Sequence, residues 1–201
     1  MEDLFNPITE ENSIINDNNG KSSIRKGAWR KTVRTQNRDD EFKNLVEENG
    51  GLPSKEEYQL FKSVGLSDTG SIFKHIANTR KLDTLYLSTW IISRSNIEFL
   101  VNQIKIGNLQ KIVFIVSTRL KQLKKSDYAY LVEEFKQYPK QILFKVCNSH
   151  AKTFSVNDFD GNYYTVTGSG NWTENPRIEN YIILNDIFAF EHNKEWMLEL
   201  I

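Results

Sequence analysis

Several things are scarce in this sequence, and each scarcity excludes something. There is one cysteine, Cys147, so no internal disulfide can form. It sits with Ile142, Phe144 and Val146 in a strand-like apolar run and reads as a small core hydrophobe, which suits a reducing, cytoplasmic setting. The longest apolar runs, Leu85–Ile92 and Ile112–Val116, fall far short of the roughly 20 residues that a membrane-spanning helix needs. The start Met-Glu-Asp-Leu-Phe-Asn lacks the basic and apolar regions of a signal peptide, so neither secretion nor membrane insertion is expected. Charge of one sign is missing too: 26 basic side chains balance 26 acidic ones, and a polyanionic partner would have to be met by a local patch rather than by the overall field. No glycine-rich phosphate loop ending in Lys-Ser or Lys-Thr, no Gly-x-Ser-x-Gly elbow and no internal repeat is present. Cys147 and His150 have ligand-like spacing, but a structural zinc site needs four ligands and no second pair follows, while His75 and His192 stand alone.

What remains is the composition of an ordinary globular protein, with 201 residues, 39% hydrophobic and 12% aromatic. That length suits one domain with a modest extension. Residues 1–20 are rich in Asn, Asp, Glu and Ile without a sustained period. From Lys21 to Arg38 the chain turns basic, with Arg25, Lys26, Arg30, Lys31 and Arg34 around Trp29, before Asp39, Asp40 and Glu41 offset it. Residues 1–38 therefore read as a flexible polar and basic arm and residues 39–201 as the folded domain. The basic run with its aromatic is a candidate nucleic-acid contact or an attachment to a larger assembly, weighed against a simple solvated face.

Ser54 and Glu57 match a capping box, which predicts a short helix presenting Tyr58, Leu60 and Phe61. A second helix is expected over Ser71–Ala77. Strands are expected at Leu85–Ile92, Lys111–Ser117 and Ile142–Asn148, with helices at Ser95–Ile106 and Tyr128–Tyr138 between them. Ala151–Val156 and Tyr163–Thr167 flank the turn Asp158-Phe-Asp-Gly161, which predicts a hairpin. Tyr181–Leu184 reads as a last strand and Phe188–Leu200 as a closing helix. Alternating strands and helices predict an α/β fold with a mixed, largely parallel sheet flanked by helices.

The polar residues that carry chemistry gather late in the chain. His150 and Lys152, two apart in an extended segment, present an imidazole and an ammonium on one side. Imidazole is a capable nucleophile near neutral pH, and the cation can neutralise charge developing on a phosphoryl group. Gly168, Ser169, Gly170 and Asn171 follow, two small backbone positions alternating with two short hydrogen-bonding side chains. Thr89 and Trp90, ending the first expected strand, are candidates to line the same pocket, with a buried Trp as the simpler account. Trp172 reads as packing beneath the loop, and Arg177 as a phosphate contact or a partner for Glu174.

His-x-Lys followed about seventeen residues later by Gly-Ser-Gly-Asn, and then by Asn-Pro-Arg-Ile-Glu-Asn, resembles the phospholipase D superfamily, specifically its single-motif, nuclease-like branch, many of whose small members come from bacteria and their phages. The resemblance covers roughly residues 70–200. It implies a phospholipase D-like fold and a homodimer that brings two motifs together. It also implies a metal-independent phosphodiesterase, without cofactor, acting on DNA or RNA. His150 of one subunit would attack phosphorus, and His150 of the other would protonate the leaving oxygen and then activate water. Lys152 and Asn171 would bind the non-bridging oxygens, Ser169 would support them, and Glu179 would orient an imidazole. Apart from the resemblance, Gly168, Gly170, Arg177, Thr89 and Trp90 are the candidate substrate-binding residues. The expected location is cytoplasmic, meaning host cytoplasm or virion if the protein is phage-encoded.

One departure matters. The family's acid, five residues after the lysine, is Asn157 here, with Asp158 next. Either Asp158 substitutes through a bulge, Glu179 does the orienting, or the site is weakened. The last option motivates a second reading, a catalytically weakened nucleic-acid-binding or structural subunit of a larger assembly. Lipid hydrolysis is a third reading, disfavoured because no interfacial amphipathic segment is evident.

Overall fold

The computed structural model describes residues 21–26 and 28–34 by their backbone, together with 42–44, 46–47, 50–64, 68–173 and 177–201. In chain order the elements are β1 (Lys21–Lys26), β2 (Ala28–Arg34), β3 (Tyr58–Val64), α1 (Thr69–Thr79), β4 (Leu82–Thr89), α2 (Arg94–Lys105), β5 (Leu109–Ser117), α3 (Thr118–Leu123), α4 (Lys125–Lys136), β6 (Ile142–Cys147), β7 (Thr153–Asp158), β8 (Tyr163–Gly168), β9 (Ile178–Asn185) and α5 (Ile187–Leu200).

Four of these five helices begin where a short polar side chain takes up a first free amide; α4 has no such cap. Asp68 caps α1 by accepting from Ser71 N, Ser93 caps α2, Ser117 caps α3 and Asp186 caps α5. Along α2 the buried Ile97, Leu100, Val101 and Ile104 recur at helical spacing and turn inward. β4 and β5 are buried along most of their length, as strands covered on both faces must be.

The nine strands form one sheet in the order β2-β1-β3-β9-β8-β7-β4-β5-β6. Only the pairings β4–β5 and β5–β6 are parallel; the other six are antiparallel. The expectation of a largely parallel sheet is thus corrected. It holds for the segment that alternates strand and helix, where crossovers return each strand in the same direction. After β6 the chain instead enters the middle of the sheet beside β4 and continues through hairpins, which reverse direction each time.

A second correction concerns Ser54. The Glu57 carboxylate does accept from Ser54 N, at 3.0 Å, but the contact closes a turn rather than opening a helix. Glu56 takes a left-handed φ of 64°, and the chain then runs as β3. Gln59, Phe61 and Ser63 are buried while Tyr58 and Leu60 stay exposed, the alternation of a strand. The expected hairpin is present: β7 pairs with β8, Asp158 Oδ1 accepts from the amides of Asp160 and Asn162, and Gly161 supplies the left-handed φ of 77° that the turn needs.

One face of the sheet carries the main apolar cluster, including Phe61, Phe73, Leu87, Leu100, Phe114, Phe154, Trp172 and Tyr181. On the other face α5 packs Phe190 and Met197 against Tyr86, Val113 and Ile115, with Cys147 at the margin in the hydrophobic role expected of it. Of the expected arm, residues 1–20 and 35–38 lie outside the described residues, while the basic segment supplies β1 and β2, joined to the sheet through β3.

Candidate active site

Three chain segments converge at one end of the sheet. β4 ends there with Thr89 and Trp90, the chain passes His150, Ala151 and Lys152 just before β7, and β8 ends in Gly168 before the Ser169-Gly170-Asn171-Trp172 loop leads to β9. Register brings the first two together, since Ser88 pairs with Thr153 across antiparallel strands. The third is adjacent because Thr153 pairs with Thr167, and Gly168 N donates to Lys152 O at 3.3 Å.

The loop backbone is held by the starts of two helices. At α1, Thr69 N donates to Asn171 O at 3.3 Å and Thr69 Oγ1 to Gly170 O at 2.9 Å. At α2, Ser93 N donates to Trp172 O at 2.8 Å, and Asn96 Nδ2 donates both to Trp172 O at 3.0 Å and to Asp68 Oδ2 at 3.2 Å. Asp68, Thr69 and Asn96 are all buried. These supports were not singled out from sequence. A visible signal existed for one of them: Asp68 precedes Thr-Gly-Ser as a helix N-cap should. The starts of α1 and α2 thus both hold the loop through its carbonyls.

Gly170 is buried against Tyr181, and a Cβ there would fall 2.0 Å from the Tyr181 hydroxyl oxygen. Gly168 is equally confined, its missing Cβ pointing 2.3 Å from Asn180 O. The glycines therefore fit the loop by close approach rather than by flexibility. Trp172 packs in the core against Phe73 and Phe154, as its packing reading anticipated.

His150 is exposed, and Lys152 Nζ lies 3.4 Å from each imidazole nitrogen. Trp90 flanks the same ring with centroids 5.1 Å apart at 66°. The Ser169 hydroxyl donates to the buried Glu179 carboxylate and accepts from Asn180 N at 3.1 Å. Burial lowers the Lys152 ammonium below the ordinary lysine pKa, opposed by the negative charge of Glu179. Asn171 Oδ1 is buried and without a hydrogen-bond partner among the described residues.

The structure thus brings together Trp90, His150, Lys152, Gly168, Ser169 and Glu179, with Gly170 and Asn171 in the adjoining loop. Arg177 is exposed just before β9. Thr89 is buried and donates to Ile91 O at 3.0 Å, bracing the loop that carries Trp90. Arg25 and Lys26 on β1 and Trp29, Arg30, Lys31 and Arg34 on β2 belong to strands separated from β8 by β3 and β9; their side chains lie outside the described residues.

The two acidic alternatives are placed as well. Asp158 is buried at the far end of β7, about 17 Å along the strand from its His150 end. Its carboxylate accepts from Arg80 Nη1 at 2.9 Å and from the turn amides, so it serves the hairpin. Asn157 faces a register slip in β4: its Oδ1 accepts from Thr84 N at 3.2 Å and its Nδ2 donates to Asp83 Oδ2 at 3.0 Å.

No family model matches this sequence, and no curated protein matches it. Solved structures do resemble it. Polyphosphate kinase from Porphyromonas gingivalis is 12% identical with a TM-score of 0.55, the match covering 77% of this chain and 28% of that one. Nuc from Salmonella typhimurium, a phospholipase D family member, is 15% identical with a TM-score of 0.49, covering 71% of this chain and 92% of Nuc. Yeast tyrosyl-DNA phosphodiesterase is 11% identical with a TM-score of 0.34, covering 51% of this chain and 25% of that one. The structural neighbours include a phospholipase D family member. The likeness to polyphosphate kinase shows a shared α/β fold; the chain spans only about a quarter of that protein and of tyrosyl-DNA phosphodiesterase.

Proposed function

We propose that this protein is a phospholipase D-like phosphodiesterase of the single-motif, nuclease-like kind, metal-independent and acting on nucleic acid. The observation that carries the reading is the exposed His150 imidazole within 3.4 Å of the Lys152 ammonium, beside the Gly168–Asn171 loop. A nucleophile, a cation and short hydrogen-bonding groups gathered at one end of the sheet suit one reaction type, displacement at an anionic phosphorus.

His150 attacks phosphorus of the bound diester, the P–N bond forms and the P–O bond to the leaving group breaks. The leaving oxygen takes a proton from His150 of a second copy, paired by two-fold symmetry. That second histidine then removes a proton from water, which attacks the phosphohistidine and restores both imidazoles. Lys152 and the Asn171 side chain hold the non-bridging oxygens through this sequence. Glu179 holds the Ser169 hydroxyl and, through its charge, favours the protonated state of Lys152. A reducing intracellular setting, and DNA or RNA as the substrate, complete the proposal.

Two displacements at one phosphorus leave its configuration unchanged. Hydrolysis of a chiral phosphorothioate diester in isotopically labelled water should therefore proceed with retention. Inversion would mean that water attacks directly, and the histidine nucleophile would be abandoned.

A further inference from the structure

Trp90 packs differently from the other tryptophans whose side chains are described. Trp172 belongs to the main apolar cluster and Trp196 packs at the edge of the second, but Trp90 belongs to neither. It is only half-buried, and the ring it meets is that of His150, edge to face at 5.1 Å and 66°. Part of the indole therefore stays open to solvent beside the imidazole.

Its backbone is fixed nonetheless. Thr89 Oγ1 donates to Ile91 O at 3.0 Å, Ile92 forms a bridge with Trp172, and Ser93 N donates to Trp172 O at 2.8 Å. Ile92 and Trp172 are both buried. The residue after Asn171 thus anchors the segment that carries Trp90. The backbone on either side of Trp90 is thus tied down, and its indole meets the His150 imidazole.

From this juxtaposition we infer that Trp90 is a stacking platform for the nucleobase next to the scissile phosphodiester, so that the substrate is single-stranded nucleic acid or an unpaired end. The inference rests on the phosphodiester site proposed above for its location. A base within a duplex has both faces occupied by its neighbours, whereas an unpaired base offers a face to an aromatic ring. Stacking is tolerant of sequence, so selection would fall on strandedness rather than on base identity.

The test uses the full chain and a single-stranded thymidine oligonucleotide, the same oligonucleotide with one abasic position, and its duplex. Trp90→Ala should raise KM for the single strand by about tenfold to a hundredfold with kcat nearly unchanged, the range expected for loss of one stacked base. Trp90→Phe should restore most of the loss. Trp90→Leu, which keeps apolar volume without a π face and so guards against a folding defect, should not. The abasic oligonucleotide should bind wild type and Trp90→Ala alike. Binding is also read without turnover, by anisotropy of the labelled oligonucleotide on His150→Asn with and without Trp90→Ala. If no hydrolysis occurs, the phosphodiesterase reading fails while the anisotropy still decides this one. Equal affinity of both proteins for the single strand, or a fall in kcat with unchanged KM, overturns the stacking role and leaves Trp90 as a brace for His150.

Discussion

Asn157 occupies the position where the resembled family has an acid, so restoring the acid is an informative perturbation. In a reading that equates the family residue with activity, Asn157→Asp should improve the enzyme. The structure argues the reverse. Asn157 Nδ2 donates to Asp83 Oδ2 at 3.0 Å, and a carboxylate has no proton to put there. A hydrogen bond to a charged group contributes about 1.5–3 kcal/mol. Two carboxylates about 4 Å apart repel by roughly 1 kcal/mol in water and 4 kcal/mol near a protein surface, before either side chain swings toward solvent. Both residues are only partly exposed, and the relaxation open to them brings the expected destabilisation to about 2 kcal/mol. For a chain of this size it lowers Tm by roughly 4–8 °C. Thermal unfolding at pH 7 reads the loss directly. At pH near 4 the gap to wild type should narrow, because one carboxyl can take up a proton and donate. The double variant Asp83→Asn with Asn157→Asp, which exchanges donor and acceptor, should recover most of the stability in a double-mutant cycle. An Asn157→Asp protein that melts with wild type and hydrolyses diesters faster would refute the argument that this position is a clamp across the β4 register slip.

Two further expectations concern the site itself. Gly170→Ala pushes a methyl to 2.0 Å from the hydroxyl of Tyr181, which is buried and stacked on Phe61 at 5.6 Å, so the loop must shift rather than the tyrosine. The expected cost is about 1–3 kcal/mol of stability, and a loop displaced by ~1 Å should lower kcat/KM by roughly a hundredfold. Adding Tyr181→Phe, which removes the obstructing oxygen, should restore part of both losses; wild-type kinetics in Gly170→Ala would show that loop geometry is irrelevant. Lys152 sets the second expectation. Its charge is needed for anion binding and its pKa is lowered by burial, so its loss of charge should give kcat/KM an alkaline limb at a pH below the ordinary lysine range. Lys152→Arg, always charged, should remove that alkaline limb, while Glu179→Gln should move it to lower pH because Glu179 opposes the shift. An alkaline limb that survives Lys152→Arg would assign it to another group.

Much of the sheet was legible because buried strands and amphipathic helices announce themselves by period. Leu82–Thr89, Leu109–Ser117 and Ile142–Cys147 lie within a few residues of where alternation placed them. Strand direction was not legible. A strand buried on both faces has the same apolar run whether its neighbour is parallel or antiparallel, and the short connection from β6 to β7, residues 148–152, decided it by sending β7 back antiparallel to β4. Ser54 and Glu57 show a different limit: the capping contact formed, yet the left-handed Glu56 and the alternation of Gln59, Phe61 and Ser63 outweighed it. At the site, spacing brought His150, Lys152 and Ser169 into view, because a small motif survives without its surroundings. The fates of Asn157 and Asp158 could not be read this way, since both depend on partners distant in sequence, Asp83 for one and Arg80 for the other.

The central claim is that His150 performs phosphodiester chemistry without a metal. The direct measurement is hydrolysis of bis-p-nitrophenyl phosphate and of labelled single- and double-stranded DNA and RNA in excess EDTA, comparing wild type with a folded His150→Ala variant. Cleavage that persists in EDTA and disappears with the imidazole is the expected result. No cleavage by folded wild-type protein, or cleavage that survives His150→Ala, would contradict the account and turn attention to a binding role for the same fold.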